Sequence, residues 1–352
     1  MKRHLRYCLM VLAIGSLGPL AFGDYLDVQR SATIKAEPSS AAAIVERVDQ
    51  GTKLPLLDNG AQIQGYYHVQ SSDQAKEGWI YRTFVRRNSG ALPQPETPSK
   101  SGGPLEVNTP ALTEAQKSAA TRYLRLGKPQ AVYERVREGY VLAQDARLKI
   151  PLWVQYELTR DDLSGTARRT DRFHADTSIP YGSRAERSDY EGSGYDQGHM
   201  APFADMTRSA NAMDESFLLS NMAPQVGVGF NQQIWQELES AIRGWVEQRG
   251  SLTIIVGPVF GTKDGSVSYK VIGRGNVAVP TYFYKIVVDA NNPNDIKTLA
   301  FLMPNANLSN HRIDEYLTSI DEIELATGLD FLSALPLTTQ ATVESKRAPS
   351  IW

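Results

Sequence analysis

The 352-residue sequence has a single cysteine, Cys8, which excludes a disulfide-based fold. No uncharged apolar run of membrane-spanning length follows residue 22, which excludes a protein with several transmembrane helices. The net charge is only −2, so no overall positive field attracts nucleic acid. A chain of this composition that binds phosphates needs a local cluster of arginines or a metal ion.

The N-terminus has the composition of a secretory signal. Lys2, Arg3 and Arg6 precede the apolar segment 9–20, and small residues occur just before Asp24. We expect cleavage before Asp24 and export of the protein, to a periplasm or to the medium. An uncleaved N-terminal anchor is the alternative, although the apolar segment is short for a bilayer.

Changes in composition divide the rest of the chain. Short apolar runs separated by turn residues predict a small all-β domain over residues 24–87. Proline, glycine, serine and threonine predict a linker over residues 88–110. We expect a mixed α+β domain over residues 111–335 and a C-terminal tail over residues 336–352.

The first of these domains resembles bacterial SH3-like domains found on exported proteins. The resemblance is carried by residues 45–51, 65–69 and 78–85, of which the last includes the run Gly-Trp-Ile-Tyr. It implies a small barrel that binds cell wall or a peptide. We expect Trp79 to pack in the core rather than to bind a ligand, since a tryptophan within a strand is usually buried.

His199 occupies a position at which a regular helix is excluded. Glycines 192, 194 and 198 come before it, and Pro202 prevents a helix from starting directly after it. His199 is therefore predicted on a turn or an extended segment, where its side chain can face a cleft.

The segment from Asn231 to Gln248 has a helical period. One apolar stripe is formed by Ile234, Trp235, Leu238, Ile242, Trp245 and Val246. Glu239 and Arg243 lie four residues apart at the border of this stripe. Taken singly, these two form a surface ion pair, and Asn231 is an N-cap.

Three motifs occur in order over this part of the chain. They are Asp196-Gln197-Gly198-His199, then Asn221 followed by Pro224-Gln225, then Asn231, Trp235, Leu238-Glu239 and Arg243. Together they resemble the DNA/RNA non-specific endonucleases, a ββα-metal nuclease family that includes endonuclease G. The resemblance covers about residues 133–335. It implies an α+β domain with a central antiparallel sheet and flanking helices, with His199 on a hairpin and Asn231 on the following helix.

The resemblance also implies a role for each of five side chains. His199 would be the general base, because a neutral imidazole can take a proton from water. Asn231 would be the single direct ligand of Mg²⁺, with Mn²⁺ as an alternative, since magnesium keeps several waters. Glu239 would hold waters of the ion, while Arg243 and Arg169 would hold the scissile phosphate.

Further residues are assigned less directly. Asn221 would orient His199 or the substrate, and Asp196 would support the metal ligand. Gln197 replaces the arginine that is usual in this motif, and binds phosphate without the charge and fork of arginine. A lower affinity or rate, or another substrate preference, is expected from this change. Arg168 and Arg172 are close enough in sequence to take the place of Arg169.

The implied activity is hydrolysis of DNA and RNA to 5′-phosphate and 3′-hydroxyl ends. One alternative is a catalytically weak nuclease-fold protein that binds through its SH3-like domain. Another is a phosphodiesterase that uses the same residues on a different phosphate ester.

Overall fold

The structure is a computed structural model, and it describes residues 24–29, 32–39, 42–49, 51–72, 76–89, 112–129, 131, 133–263, 266–267 and 269–352. The expected signal peptide, residues 1–23, lies outside the described residues, as does the expected linker apart from its first two residues. No helix within the described ranges is long and apolar enough to cross a membrane.

Residues 24–89 contain short strands and two short 3₁₀ turns. The strands are β1 (Asp24–Val28), β2 (Ala32–Lys35), β3 (Ile44–Val48), β4 (Lys53–Pro55), β5 (Gln62–Ile63), β6 (Tyr66–Gln70), β7 (Glu77–Tyr81) and β8 (Val85–Ser89).

These strands form two sheets. One has the order β4-β1-β8 and the other β3-β2-β7-β6-β5. An isolated bridge between Leu56, just after β4, and Val69 of β6 links the two sheets. The closed barrel that we expected is therefore not found among the described strands, because this single bridge replaces a shared ladder. The expected core position of Trp79 is not found: the residue is half-buried, lies outside the apolar cluster of this domain and stacks on His68, with ring centroids 4.5 Å apart.

The larger domain is built on a seven-stranded antiparallel sheet of order β21-β20-β19-β14-β11-β10-β9. Its strands are β9 (Glu134–Val136), β10 (Val141–Asp145), β11 (Ile150–Thr159), β14 (Ser251–Val259), β19 (Tyr282–Asp289), β20 (Lys297–Pro304) and β21 (Leu317–Thr318). Two-stranded ladders are formed by β12 (Asp196–His199) with β13 (Met222–Gln225), β15 (Thr262–Lys263) with β16 (Ser266–Val267), and β17 (Lys270–Ile272) with β18 (Val277–Val279).

Helices cover both faces of this sheet. They are α1 (Glu114–Tyr123), α2 (Arg160–Leu163), α3 (Arg187–Tyr190), α4 (Ala210–Ser216), α5 (Trp235–Arg249), α6 (Ile320–Thr327) and α7 (Leu337–Glu344). This architecture confirms the α+β prediction.

The central strands are apolar on both sides, which explains why helices are needed on both. Side chains alternate along a strand, so neighbouring residues face opposite layers. Ile254 belongs to the apolar cluster that includes α5, whereas Ile255 belongs to the cluster that includes α6. The sheet thereby separates α5 from α6 and α7.

The predicted stripe of α5 is confirmed: its apolar residues are all buried. The helix ends at Gly250, whose φ of 97° follows the last turn. Its start differs from the prediction, because the α-helix begins at Trp235 rather than at Asn231. A kinked turn over Gly227–Ile234 precedes it, with non-helical backbone angles at Val228 and Gly229.

Candidate active site

His199 ends β12, where it lies opposite Met222 of the antiparallel partner β13. The expected hairpin is thus a pair of strands joined by a long connection that contains α4. The ring of His199 sits among Phe173, Phe203 and Phe217, with centroid distances of 5.6, 5.7 and 5.1 Å. Nε2 is buried and has no hydrogen-bond partner. Burial, together with the smaller effect of the nearby Arg169 charge, lowers the pKa of His199 to about 3, so the ring is neutral at pH 7.

Asn221 directly precedes β13 and is fully buried. Its Oδ1 accepts a hydrogen bond from the Ala201 amide at 3.0 Å. Its Nδ2 donates to the carbonyls of Ala201 and Ser216 at 2.8 and 2.9 Å. The side chain is thus committed to the backbone that follows His199. Of the two roles predicted for Asn221, this arrangement suits positioning of the His199 segment.

Asn231 is presented by the kinked turn that precedes α5. Gly229 makes this turn possible, because its φ is 84° and an added Cβ would lie 2.0 Å from Asn307 Oδ1. The Asn231 amide group donates through Nδ2 to Asp196 Oδ2 at 2.8 Å. Asp196 also accepts from Gln232 at 2.9 Å and so fixes the Asn231 amide plane.

Glu239 extends from α5 toward a buried lysine. Lys285 of β19 is fully buried, and its Nζ donates to Glu239 Oε1 at 3.3 Å. The same Nζ lies 4.2 Å from the centroid of the Trp235 ring. Burial raises the pKa of Glu239 and lowers that of Lys285, while the opposite charge of each partner acts against these changes.

Arg243, one turn further along α5, is held by a second buried acid. Its Nη1 donates to Asp205 Oδ1 at 3.0 Å, and its Nη2 donates to Ser240 Oγ at 3.0 Å. The hydroxyl of Tyr156 donates to the other oxygen of Asp205 at 2.8 Å. The Arg243 side chain retains 23% exposure, so its position is fixed while part of it still reaches solvent.

Arg169 resolves the ambiguity among neighbouring arginines. Its guanidinium lies 4.2 Å above the Phe203 ring and donates to Asp171 at 2.5 Å. It lines the same cleft as His199, whereas Arg172 pairs with Asp214 outside it. Neither Arg172 nor Arg168 lines the cleft.

These side chains share one cleft with a volume of about 570 Å³. It contains seven of the eight predicted site residues, namely Arg169, Asp196, Gln197, His199, Asn231, Glu239 and Arg243. The eighth, Asn221, does not line it. Arg187 also lines the cleft, with a side chain that is 72% exposed.

The cleft can hold a magnesium ion through a single amide oxygen. Because Asp196 holds the NH₂ group of Asn231, Oδ1 remains as an acceptor without a partner among the described side chains. Magnesium prefers oxygen ligands and keeps several waters, so one protein oxygen with a nearby carboxylate suits it. Glu239, 12% exposed, supplies that carboxylate.

The sequence analysis assigned no role to Lys285 and Asp205, the residues that pair with Glu239 and Arg243. Lys285 could have been found, because a lysine at a core-facing position of an apolar strand requires a buried acid. Asp205 lies in a 3₁₀ turn, Phe203–Asp205, and no periodicity marks it. Arg187 is an ordinary exposed residue of the short helix α3, and its sequence gives no signal.

Comparison with known proteins agrees with this geometry. Residues 118–338 match the DNA/RNA non-specific endonuclease family. The mitochondrial endonuclease G of Bos taurus is 33% identical over 282 residues, which are 78% of this chain and 89% of that protein. Nuclease C1 of Cunninghamella echinulata var. echinulata is 36% identical over 212 residues, 58% of this chain and 84% of that protein. A chain in the crystal structure of the EndoG/EndoGI complex superposes with a TM-score of 0.59 at 32% identity, covering 62% of this chain and 93% of that one.

Proposed function

The chain belongs to the DNA/RNA non-specific endonuclease family and is an endonuclease, and on this premise we propose that it is a Mg²⁺-dependent hydrolase of both DNA and RNA. The observation that carries the proposal is the cleft, which places a neutral histidine beside an amide oxygen, a carboxylate and two arginines. A protein that only bound nucleic acid would not need these four residue types in one place. The binding-protein alternative is therefore disfavoured.

His199 acts as the general base in this proposal. With Nε2 buried among aromatic rings, we place the ring proton there, where N–H groups find weak π acceptors. Nδ1 then carries the free lone pair and takes a proton from the attacking water. The surrounding phenylalanines keep the ring neutral and hold it in one orientation.

The arginines bind the phosphate. Arg243 uses Nη1 on Asp205 and keeps other N–H groups for a phosphate oxygen. Arg169 approaches from the His199 side of the cleft, stacked on Phe203. Together they position the phosphorus for in-line attack and stabilise the charge that develops on it.

Asn231 and Glu239 would hold the metal, Asn231 directly and Glu239 through water. A bound Mg²⁺ supplies charge neutralisation at the phosphate and at the departing 3′ oxygen. The products then carry 5′-phosphate and 3′-hydroxyl ends. Gln197, at the edge of the cleft, contributes a neutral contact where the family usually has an arginine.

The test is cleavage of supercoiled plasmid and of total RNA by the wild-type protein, with Mg²⁺, with Mn²⁺ and with chelator. We expect both substrates to be cut with metal and neither with chelator. The DNA products should be joined by ligase without prior phosphorylation. Cleavage that persists in chelator, or products that first need a kinase, would overturn the proposal.

A matched pair of variants tests the metal ligand. Asn231→Ala should raise the Mg²⁺ concentration needed for half-maximal rate at least about 10-fold, whereas the exposed Asn292→Ala should not change it. An equal metal requirement in the two variants would remove Asn231 from this role.

We further propose that the protein is exported. Support comes from the basic and apolar segments before Asp24. The Bos taurus relative is mitochondrial by name, so the compartment needs a direct test. N-terminal sequencing of the protein from periplasmic and culture fractions should begin at Asp24. An intact N-terminus found only in the cytosol would contradict export.

The stacked pair His68 and Trp79 supports a ligand-binding role for the N-terminal domain, since Trp79 is only half-buried and lies outside the apolar cluster. We expect the full chain to bind purified cell wall or a peptide from it, and Trp79→Ala to weaken this binding. Equal binding by wild type and variant would exclude this surface.

A further inference from the structure

Three carboxylates converge where α6 meets α7. Asp321 and Glu324 belong to α6, and Glu344 is the last residue of α7. Each offers an oxygen that lies within 4.8 Å of the other two. It is the one group of three such side chains with metal-binding spacing in the part of the chain that the structure describes.

Glu344 distinguishes this cluster from an ordinary acidic surface. The residue is only 5% exposed, and its Oε1 is buried without a hydrogen-bond partner. A carboxylate oxygen in that condition loses its hydration without compensation. Glu324, by contrast, accepts the Phe331 amide at 2.7 Å with its Oε1.

Basic side chains do not neutralise the cluster. Within the described ranges, none of the three carboxylates has a lysine, arginine or histidine nitrogen within 4.0 Å. Arg47 of the N-terminal domain is close, but it pairs with Asp330 at 2.5 Å. The cluster thus requires protons or a bound cation.

The ligand set favours a hard cation that accepts irregular coordination. Carboxylate oxygens are ligands of both Ca²⁺ and Mg²⁺, but Ca²⁺ accepts flexible geometry whereas Mg²⁺ demands a near-ideal octahedron. Three carboxylates supplied by two separate helices suit the more flexible ion. We propose that Asp321, Glu324 and Glu344 form a Ca²⁺ site that ties α6 to α7.

This site would be structural and separate from the cleft. α6 packs on the sheet face opposite α5, which carries Glu239 and Arg243. α6 is also followed by Gly328, where an added Cβ would lie 2.3 Å from Phe84 of the N-terminal domain. An ion here would therefore stabilise the helix that contacts both the sheet and that domain.

The test is thermal unfolding of the full chain, stripped of metal and titrated with Ca²⁺. We expect the wild-type Tm to rise by roughly 5–10 °C at a hundred-fold excess over Kd. Asn231→Ala should show the same rise, because the proposed catalytic metal ligand is not involved. Glu322→Gln, an exposed acid on α6, is the matched control and should also retain the rise.

Glu344→Gln should abolish the rise and lose one bound Ca²⁺ per chain in calorimetric titration of the Asn231→Ala background. Asp321→Asn, at a less buried position, provides the same test should Glu344→Gln not fold. No rise in the wild type, or an undiminished rise in both cluster variants, would overturn the proposal and leave shared protons as the means of neutralising the cluster.

Discussion

The predicted site residues differ in how much of their hydrogen-bonding capacity the protein itself uses. Asn221 gives both ends of its amide to backbone groups. Asn231 gives only its NH₂ group, to Asp196. His199 has no partner at Nε2. The two asparagines therefore differ in their partners: the amide of Asn221 is fully used by the backbone, whereas Asn231 keeps Oδ1 for the metal ion that we propose.

The pH dependence of cleavage follows from the burial of His199. Its folded pKa of about 3 lies below the unfolded value of about 6.5, so the base stays unprotonated throughout the neutral and mildly acidic range. The unfolded chain binds this proton first as pH falls, so the contribution of His199 to stability is complete above pH 6.5 and decreases toward pH 3. We expect kcat/KM, measured from pH 5 to 9, to have no acid limb near 6.5. An inflection there would contradict the assignment.

Replacing Gln197 by arginine should increase the affinity for DNA. It lines the cleft, so Gln197→Arg would restore a charged fork beside the phosphate. We expect tighter binding to DNA and a slope of log K against log salt that steepens by about 0.9, one extra phosphate contact. Gln248→Arg, an exposed position at the end of α5, is the control of equal charge. Equal slopes for the two variants would show that residue 197 does not reach the phosphate.

Among the helices and strands, those with a regular apolar period can be predicted from the sequence. The stripe from Ile234 to Val246 predicts α5 because burial on one side repeats with the helical period. It does not predict the turn before α5, since that turn depends on a left-handed glycine and on its contact with Asn307, which is distant in sequence. The hydrogen bond from Arg243 to Asp205 is also a tertiary contact, between α5 and a 3₁₀ turn, so periodicity does not predict it.

The turn that carries Asn231 should be sensitive to a single methyl group. Gly229→Ala would place Cβ 2.0 Å from Asn307 Oδ1, so the turn must move. We expect a loss of stability of at least about 1 kcal/mol and an increased Mg²⁺ requirement. Gly250→Ala shares a positive φ but has no neighbour within 4 Å of the added Cβ. It should lose some stability in denaturant titration and keep the wild-type metal requirement. The same metal requirement in both variants would contradict the role of this turn.

At the scale of the whole molecule, the last residue is packed against the helix of the active site. Trp352 accepts a hydrogen bond from Trp245 Nε1 at 3.0 Å through its carbonyl. Arg249 lies 4.0 Å above its ring. The region expected to be a tail also contains α7, which packs beside β20 and α6. Periodicity does not reveal α7 in the sequence, because the helix has almost no apolar stripe.

This packing predicts a stability effect without a catalytic one. Trp352→Ala should cost about 2 kcal/mol, less than a fully buried tryptophan because the side chain is half-buried, and lower the Tm by about 4–8 °C. The rate at 25 °C should stay near the wild-type value. Leu337→Ala, at a position 72% exposed, should leave the Tm almost unchanged. A rate that falls with Trp352→Ala in the folded protein would show that the C-terminus shapes the cleft.

The role of His199 as the general base is tested most directly by the single-turnover rate of DNA and RNA cleavage by His199→Ala at saturating Mg²⁺. We expect a decrease of about 10²–10⁴-fold on both substrates in a variant that still unfolds cooperatively, at a Tm below that of the wild type because a ring packed among phenylalanines is removed. His311→Ala, an exposed histidine paired with Glu315, should cleave at the wild-type rate. Activity of folded His199→Ala within tenfold of the wild type would contradict His199 as the general base.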